Sequence, residues 1–311
     1  MKLSFNVEGR TQPDPFVIED GGVYYMYVSV TEGEYGVDAY SASDPFGEWK
    51  YEGEVARFEN ARNYWAPSVI KYRGKYYMYV SCEREGAFQH MHVAASDSPL
   101  GPFTGEKMLY DRFTIDSHMV ETESGLFLFY AENVCEGRDR VGTRVFVDRF
   151  LDPYTPAHEP RELILPSCDE EWFTPQCTET EKWHTVEGAF WLADGDYQYL
   201  MYSGGCYQDD TYHVGYAVAK SRETDLTRVD FEKVTRDGGF CPVIIKNDFE
   251  EGTGHNSVVR IGGEYYAFYH GRDYLSDGKT RDEYREERTA RVCKLSVKDG
   301  VITAERYPDK V

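Results

Sequence analysis

Basic residues are scarce in this chain. Only 34 lysines and arginines face 55 aspartates and glutamates, for a net charge of −21. Such a balance repels a phosphate backbone, so nucleic acid is excluded as a natural partner. An anionic membrane surface is disfavoured for the same reason. Neutral ligands remain. The seven cysteines (82, 135, 168, 177, 206, 241 and 293) are odd in number and form no CxxC pair. That spacing argues against a zinc site or a disulfide framework and for reduced thiols. Long apolar runs are missing too. No stretch approaches the roughly 20 apolar residues of a membrane span. The opening MKLSFNVEGR has no apolar core of the signal-peptide kind. A cytoplasmic protein without membrane contacts is the expectation. No linker or low-complexity tract breaks the sequence, so a single domain over 1–311 is expected.

Aromatic residues and glycine are what the chain has in plenty: 26 Tyr, 17 Phe and 28 Gly, against 13 Pro. That composition suits strands and tight turns. One pattern recurs, a short strand, a glycine turn and an aromatic strand. Its copies are DPFVIEDGGVYYMYVSV, APSVIKYRGKYYMYVSC, SHMVETESGLFLFYAEN, GAFWLADGDYQYLMYSG and NSVVRIGGEYYAFYHGR. The turns EDGG, YRGK, ESG, DGD and IGG carry hairpin chemistry. A further strand follows most copies, which gives each unit the four strands of a propeller blade. The units begin near 14, 66, 116, 187 and 255, so they are 52, 50, 71 and 68 residues apart. The first two spacings match propeller repeats and the later two carry insertions. A β-sandwich also has many short strands, but it does not call for five similar hairpins. The expected fold is therefore all-β, a five-bladed β-propeller.

The first strand of each blade lines the central channel of a propeller. Carboxylates at the starts of the units would therefore converge on one mouth. Asp14, Asp116 and Glu187 stand at such starts. Pro13 and Pro15 restrict the backbone on both sides of Asp14. Converging carboxylates raise one another's pKa, which is costly unless it is used. It is used where one group must be a protonated acid and another an ionised base, as in glycosidic bond hydrolysis. Each acid taken alone could equally be a turn residue.

These residues carry a resemblance to glycoside hydrolase family 43, the five-bladed propeller enzymes that act on arabinose- and xylose-containing polysaccharides. The motifs are PDPF (13–16), YWAPSV (64–69), TIDSHMV (114–120), VEGAF (186–190), GTGHNSVV (252–259) and YYAFYHGR (265–272), in the family's order. The resemblance implies that Asp14 is the general base, Glu187 the general acid and Asp116 the residue that raises and orients Glu187. It implies inversion at the anomeric carbon. Two positions depart from the usual pattern, Ala189 after the Glu-Gly pair and Ser117 after the Ile-Asp pair. Neither removes a reactive group.

Several further residues are candidates for substrate binding. Trp65 would stack on the sugar or wall the pocket. His255 opens the last unit, and in relatives a histidine there holds a central calcium ion, often through water. No cofactor is required for the chemistry, and structural Ca²⁺ in the channel is the one metal expected, through His255. Strand alternation places His118 on the same side as Asp116. An arginine near the last strands serves relatives by bonding the sugar and the acids, and Arg288 and Arg291 compete for that place, with Arg288 preferred. His270 could border the pocket, or simply sit at a strand edge. The segment 166–186 reads as a long loop whose Trp172, Phe173 and Trp183 either stack on a sugar or pin the loop to the core. The charged stretch 281–288 reads as a short helix or a solvated loop.

The function expected is an exo-acting hydrolase that removes a terminal pentose, α-L-arabinofuranose first, from arabinan or arabinoxylan oligosaccharides. A β-xylosidase or exo-galactanase of the same family is the nearest alternative. A glycoside phosphorylase and a non-catalytic sugar-binding propeller are the more distant ones.

Overall fold

The aromatic and β-branched runs form strands because alternate side chains can be buried on both sides of each sheet. In the computed structural model, residues 1–30, 36–135, 140–173, 182–237, 239–274 and 286–308 are described. They build 22 strands in five sheets. Blade I runs β2 (Phe16–Asp20), β3 (Val23–Val28), β4 (Val37–Ala42) and β5 (Glu48–Ala56), with β1 (Ser4–Phe5) added at its outer edge. Blade II holds β6 (Ala61–Tyr72), β7 (Lys75–Arg84), β8 (Ala87–Ser96) and β9 (Thr104–Met108). Blade III holds β10 (Ile115–Thr122), β11 (Gly125–Val134), β12 (Gly142–Asp152), β13 (Thr155–Pro156) and β14 (Arg161–Ile164). Blade IV holds β15 (Val186–Asp194), β16 (Tyr197–Gly204), β17 (His213–Lys220) and β18 (Glu232–Lys233). Blade V holds β19 (Glu250–Ile261), β20 (Glu264–Asp273), β21 (Thr289–Lys298) and β22 (Val301–Glu305). The five-bladed propeller expected from the repeats is the fold.

Strand alternation explains how five sheets make five cores. In β11, Phe127 and Phe129 pack with Leu200 and Tyr202 of blade IV. The intervening Leu126, Leu128 and Tyr130 pack with Tyr79 and Met91 of blade II. In β16, Tyr199 and Met201 turn to Ala267 and Tyr269 of blade V. Each hairpin thus feeds two inter-blade cores, and a one-residue slip would exchange the two sets of side chains and mispack both cores at once.

The ring closes between blades I and V. The Leu3 amide donates to the Ala290 carbonyl (3.0 Å), and Met1 exchanges main-chain bonds with Val292 (2.8 Å each way). The next residues, β1, pair in parallel with β5. Met1, Leu3, Met26 and Trp49 share a core with Val259, Phe268 and Val292.

Every inner strand enters the channel through a left-handed residue. These are Asp14 (φ 53°), Ala66 (44°), Asp116 (60°), Gly188 (60°) and His255 (52°). Four of the five carry a Cβ, for which this conformation costs roughly 1–2 kcal/mol each. In blades II to V the pairing register slips at the same point, between Trp65 and Ser68, Ile115 and His118, Glu187 and Phe190, and Gly254 and Ser257. A bulge of this kind re-aims side chains at the strand start. The acids turn out not to be strictly equivalent. Asp14 and Asp116 are kink residues, whereas Glu187 comes one residue before its kink.

Candidate active site

The kinks aim Asp14, Trp65, Ile115, Asp116, Glu187 and His255 into one cavity of about 240 Å³, completed by Tyr207, Tyr212, Glu286 and Arg288. Ligand pockets commonly span roughly 300–1,000 Å³. The cavity formed by the described residues is smaller than that.

Asp14 is fixed from four directions. Its amide donates to His270 Nδ1 (3.1 Å). The Ser29 hydroxyl donates to Oδ2 (2.5 Å) and accepts in turn from the Ala66 amide (2.6 Å). Arg288 Nη1 donates to Oδ1 (3.2 Å), and His255 Nδ1 lies 3.4 Å from the same oxygen. Burial alone would push this carboxyl up. The Arg288 guanidinium, with His255 and His270, overcomes burial and holds Asp14 well below the usual carboxylate range.

Glu187 and Asp116 move the other way. Burial pushes Glu187 up to about 7, helped by the charge of Asp14 and opposed by Tyr212 and Arg288. Tyr212 acts through its hydroxyl, which donates to Oε1 (2.8 Å). Asp116 is raised well above the carboxylate range by burial, then by the charges of Glu187 and Asp14. Two such neighbours titrate as a pair rather than singly. Asp116 Oδ2 accepts from the Gly188 amide (3.1 Å), so it holds the backbone beside Glu187. Close packing supports the arrangement. A Cβ on Gly254 would lie 2.1 Å from the Tyr212 ring, so glycine is required where Tyr212 passes.

A matching sequence model decides what this geometry belongs to. It is that of "Glycosyl hydrolases family 43", and it covers residues 7–302. This chain belongs to glycosyl hydrolase family 43. Among its relatives is a xylosidase/arabinosidase of Bacteroides ovatus, 26% identical over 96% of each chain. Another is an arabinan endo-1,5-alpha-L-arabinosidase A of Aspergillus niger, 25% identical over 83% of this chain and 82% of that one. The crystal structure of a thermostable family-43 glycoside hydrolase superposes with a TM-score of 0.80 at 26% identity, over 98% of this chain and 96% of that one. The protein is a glycoside hydrolase, and its substrate is a carbohydrate.

Six of the eight residues proposed from sequence meet in the pocket of this family-43 enzyme: Asp14, Asp116, Glu187, Trp65, His255 and Arg288. His118 does not line it. The kink at Asp116 and the bulge after Ile115 break the alternation that would have put the two side chains together. The His118 ring instead stacks on Phe190 (4.0 Å between centroids), and its Nδ1 accepts from the Trp191 amide. Arg291 does not line it either. It sits within β21, and its guanidinium pairs with Glu250 (3.4 Å) and Asp273 (2.7 Å). Arg288, just before that strand, reaches Asp14. His270 lies behind Asp14, fully buried, rather than at the pocket surface.

The described ends of the long loop are pinned to the fold. Trp172 bridges to His184, the Phe173 amide donates to the Trp183 carbonyl (2.9 Å), and neither tryptophan lines the pocket. The Phe173 ring supports Tyr207, a pocket residue, at 5.8 Å. Residues 174–181, and 281–285 of the charged stretch, lie outside the described residues.

Tyr207, Tyr212 and Glu286 escaped sequence reading. The first two follow the blade IV hairpin in GGCYQDDTYH, where no repeat position marks them. Glu286 stood among many charges, and only its spacing of two residues from Arg288 could have drawn notice.

The expected calcium does not fit the donors present. Among the described residues, no three His, Cys, Asp or Glu side chains form a metal-binding set. His255 Nδ1 faces Asp14 and Asp116, at 3.4 and 3.8 Å. Farther in, Phe16, His118 and Phe190 pack ring against ring, where calcium would want oxygen.

Proposed function

We propose that this enzyme is an inverting, exo-acting hydrolase that removes a terminal pentose, α-L-arabinofuranose before β-D-xylose. One observation carries the reading. Within one pocket, Asp14 is held ionised while Glu187 is pushed to about 7. That split assigns a base and an acid at near-neutral pH. Glu187 gives its proton to the glycosidic oxygen as the bond to the anomeric carbon breaks. A water attacks that carbon from the opposite face and passes a proton to Asp14. Asp116 keeps Glu187 in place through the Gly188 amide. Trp65 and Tyr207 supply apolar walls of the kind on which sugar rings pack.

The small cavity supports removal of one sugar at a time, and the name of the Bacteroides relative supports a pentose. Phosphorolysis is the weaker reading. Among the described residues Arg288 is the one permanent cation lining the pocket, and Asp14 and Glu286 already engage it. A phosphate would have to displace them.

The test is hydrolysis of aryl α-L-arabinofuranoside and aryl β-D-xyloside side by side, with Glu187→Ala as control. The expected result is turnover that falls sharply in the variant, and a product whose first-formed anomer is inverted by NMR. Retention, or a dependence of turnover on added phosphate, would overturn the mechanism. Release of internal fragments from linear arabinan would overturn the exo assignment.

A further inference from the structure

The pocket contains a fourth carboxylate that the acid–base pair leaves without a task. Glu286 lines the cavity beside Arg288 and also walls a neighbouring polar cavity of about 270 Å³. Its Oε1 accepts from Arg288 Nε (3.0 Å) and from the Arg288 amide (3.0 Å). Its Oε2 accepts from Nη2 (2.6 Å) and lies 3.2 Å from Nε. The remaining nitrogen, Nη1, is the one that meets Asp14. Below the guanidinium lies the Tyr207 ring, 4.6 Å away. The Arg288 carbonyl is held by the Gln12 amide (2.9 Å).

A guanidinium offers a carboxylate a two-point, bidentate contact, stronger and more rigid than a single bond. Two carboxylates compete for that contact here. Were Asp14 to win it, both of its oxygens would be drawn to Arg288. The base would then be too stabilised as an anion to take a proton from water. We propose that Glu286 is a positioning residue, occupying the Nε/Nη2 edge of Arg288 so that Arg288 reaches Asp14 through Nη1 alone. This rests on the reading of Asp14 as the base.

Other charges face the pair from several elements. Asp14 approaches from before β2, Asp116 from β10, Glu187 from β15, Tyr207 and Tyr212 from the β16–β17 connection, and His255 from β19. Arg10 and Asp38 line the adjoining cavity, and His270 stands behind Asp14. Against that background the sign is fixed. Removing the Glu286 charge unmasks Arg288 and removes a like charge, and both changes favour ionised Glu187. The alkaline limb of the activity profile then moves to lower pH.

The experiment is the pH dependence of kcat/KM for Glu286→Gln on an aryl pentoside, joined to a crystal structure of the same variant. Expected are a kcat reduced about tenfold with KM changed less, an alkaline limb at lower pH, and partial rescue by Glu286→Asp. A single well-placed acid–base contribution is worth roughly 10²–10⁴-fold, so a tenfold loss fits a residue acting through another. In the crystal, Arg288 should turn to a two-point contact with Asp14. An unmoved limb, with Arg288 still meeting Asp14 through one nitrogen, overturns the proposal. If the wild-type enzyme hydrolyses no pentoside, the pocket reading fails. The variant's crystal structure then decides the positioning by itself, because a retained single contact refutes it.

Discussion

Two buried clusters in this molecule use the same residue types to opposite ends. At the seam between the last strands, Glu250 is fully buried and meets Tyr269 (2.9 Å), Arg306 (2.9 Å) and Arg291 (3.4 Å). One carboxylate there has two guanidinium partners. At the channel mouth, among the described residues, four carboxylates, Asp14, Asp116, Glu187 and Glu286, share the single guanidinium of Arg288. Arg288 and Arg291 are three residues apart, yet one reaches Asp14 in the pocket and the other ties Glu250 and Asp273 together within blade V. The seam is compensated, so its charges can only hold. The mouth is under-compensated, so its carboxyls are driven apart in pKa and can exchange protons. Strain follows the same division, with Asp14, Asp116 and His255 all left-handed at the mouth.

The largest effect expected breaks the comparison on the catalytic side. Asp14→Ala and Glu187→Ala should each lower kcat by roughly 10²–10⁴-fold, the usual worth of an acid–base group. Glu187→Ala should not lower the melting temperature, because it removes one raised member of a crowded set of like charges, whereas Asp14→Ala should lower it, because the ionised form is held by Arg288 and Ser29. Steady-state kinetics and calorimetry on the same samples check both halves. At the seam the Glu187 pattern reverses. Glu250→Ala removes the carboxylate that Arg306 and Arg291 share, leaving the buried Arg291 only Asp273, and should destabilise the protein by about 3–5 kcal/mol. Kinetics on whatever fraction stays folded should be near normal. A Glu250 variant that keeps its stability and loses turnover would merge the two clusters into one.

A finer test sits within the mouth itself. Glu187 must be protonated to act, so activity should fall as pH rises through about 7, and Asp14, held low, should keep its charge well into the acid range. The Tyr212 hydroxyl favours the ionised form of Glu187. Tyr212→Phe should therefore move the alkaline limb upward, opposite to the shift expected from Glu286→Gln. A pair of variants with opposite signs is hard to imitate by general damage. Should both limbs move the same way, the assignment of Glu187 as the titrating acid would fail.

The repeats made the fold readable, because each hairpin carries its own turn and its own alternation, as in SVIKYRGKYYMYV. The mouth was readable where a residue belongs to the repeat. Asp14, Trp65, Asp116, Glu187 and His255 all fall at or one residue before a kink. Reasoning failed where local backbone overrode periodicity. His118 was placed beside Asp116 by alternation, and a left-handed residue with a bulge turned it to Phe190. It also failed where connections supply the residue. Tyr207, Tyr212 and Glu286 come from outer loops whose path no periodicity fixes.

The smallest effect concerns the channel beneath the mouth, and it separates site from scaffold once more. Calcium binds hard oxygen ligands, typically about six to eight of them. His255 offers a nitrogen already directed at Asp14, and the rings of Phe16, His118 and Phe190 close the space farther in. Part of the charge that a cation would balance is already met by Arg288 at Asp14. Prolonged chelation should thus leave both turnover and melting temperature within about twofold and a degree or so of the untreated enzyme, a change of the size of surface effects. A large loss restored by added calcium would show that the mouth draws its compensation from an ion as well as from Arg288. The alkaline limb would then have to move when calcium is removed, because a cation that close favours ionised Glu187 in the same sense as Arg288 does.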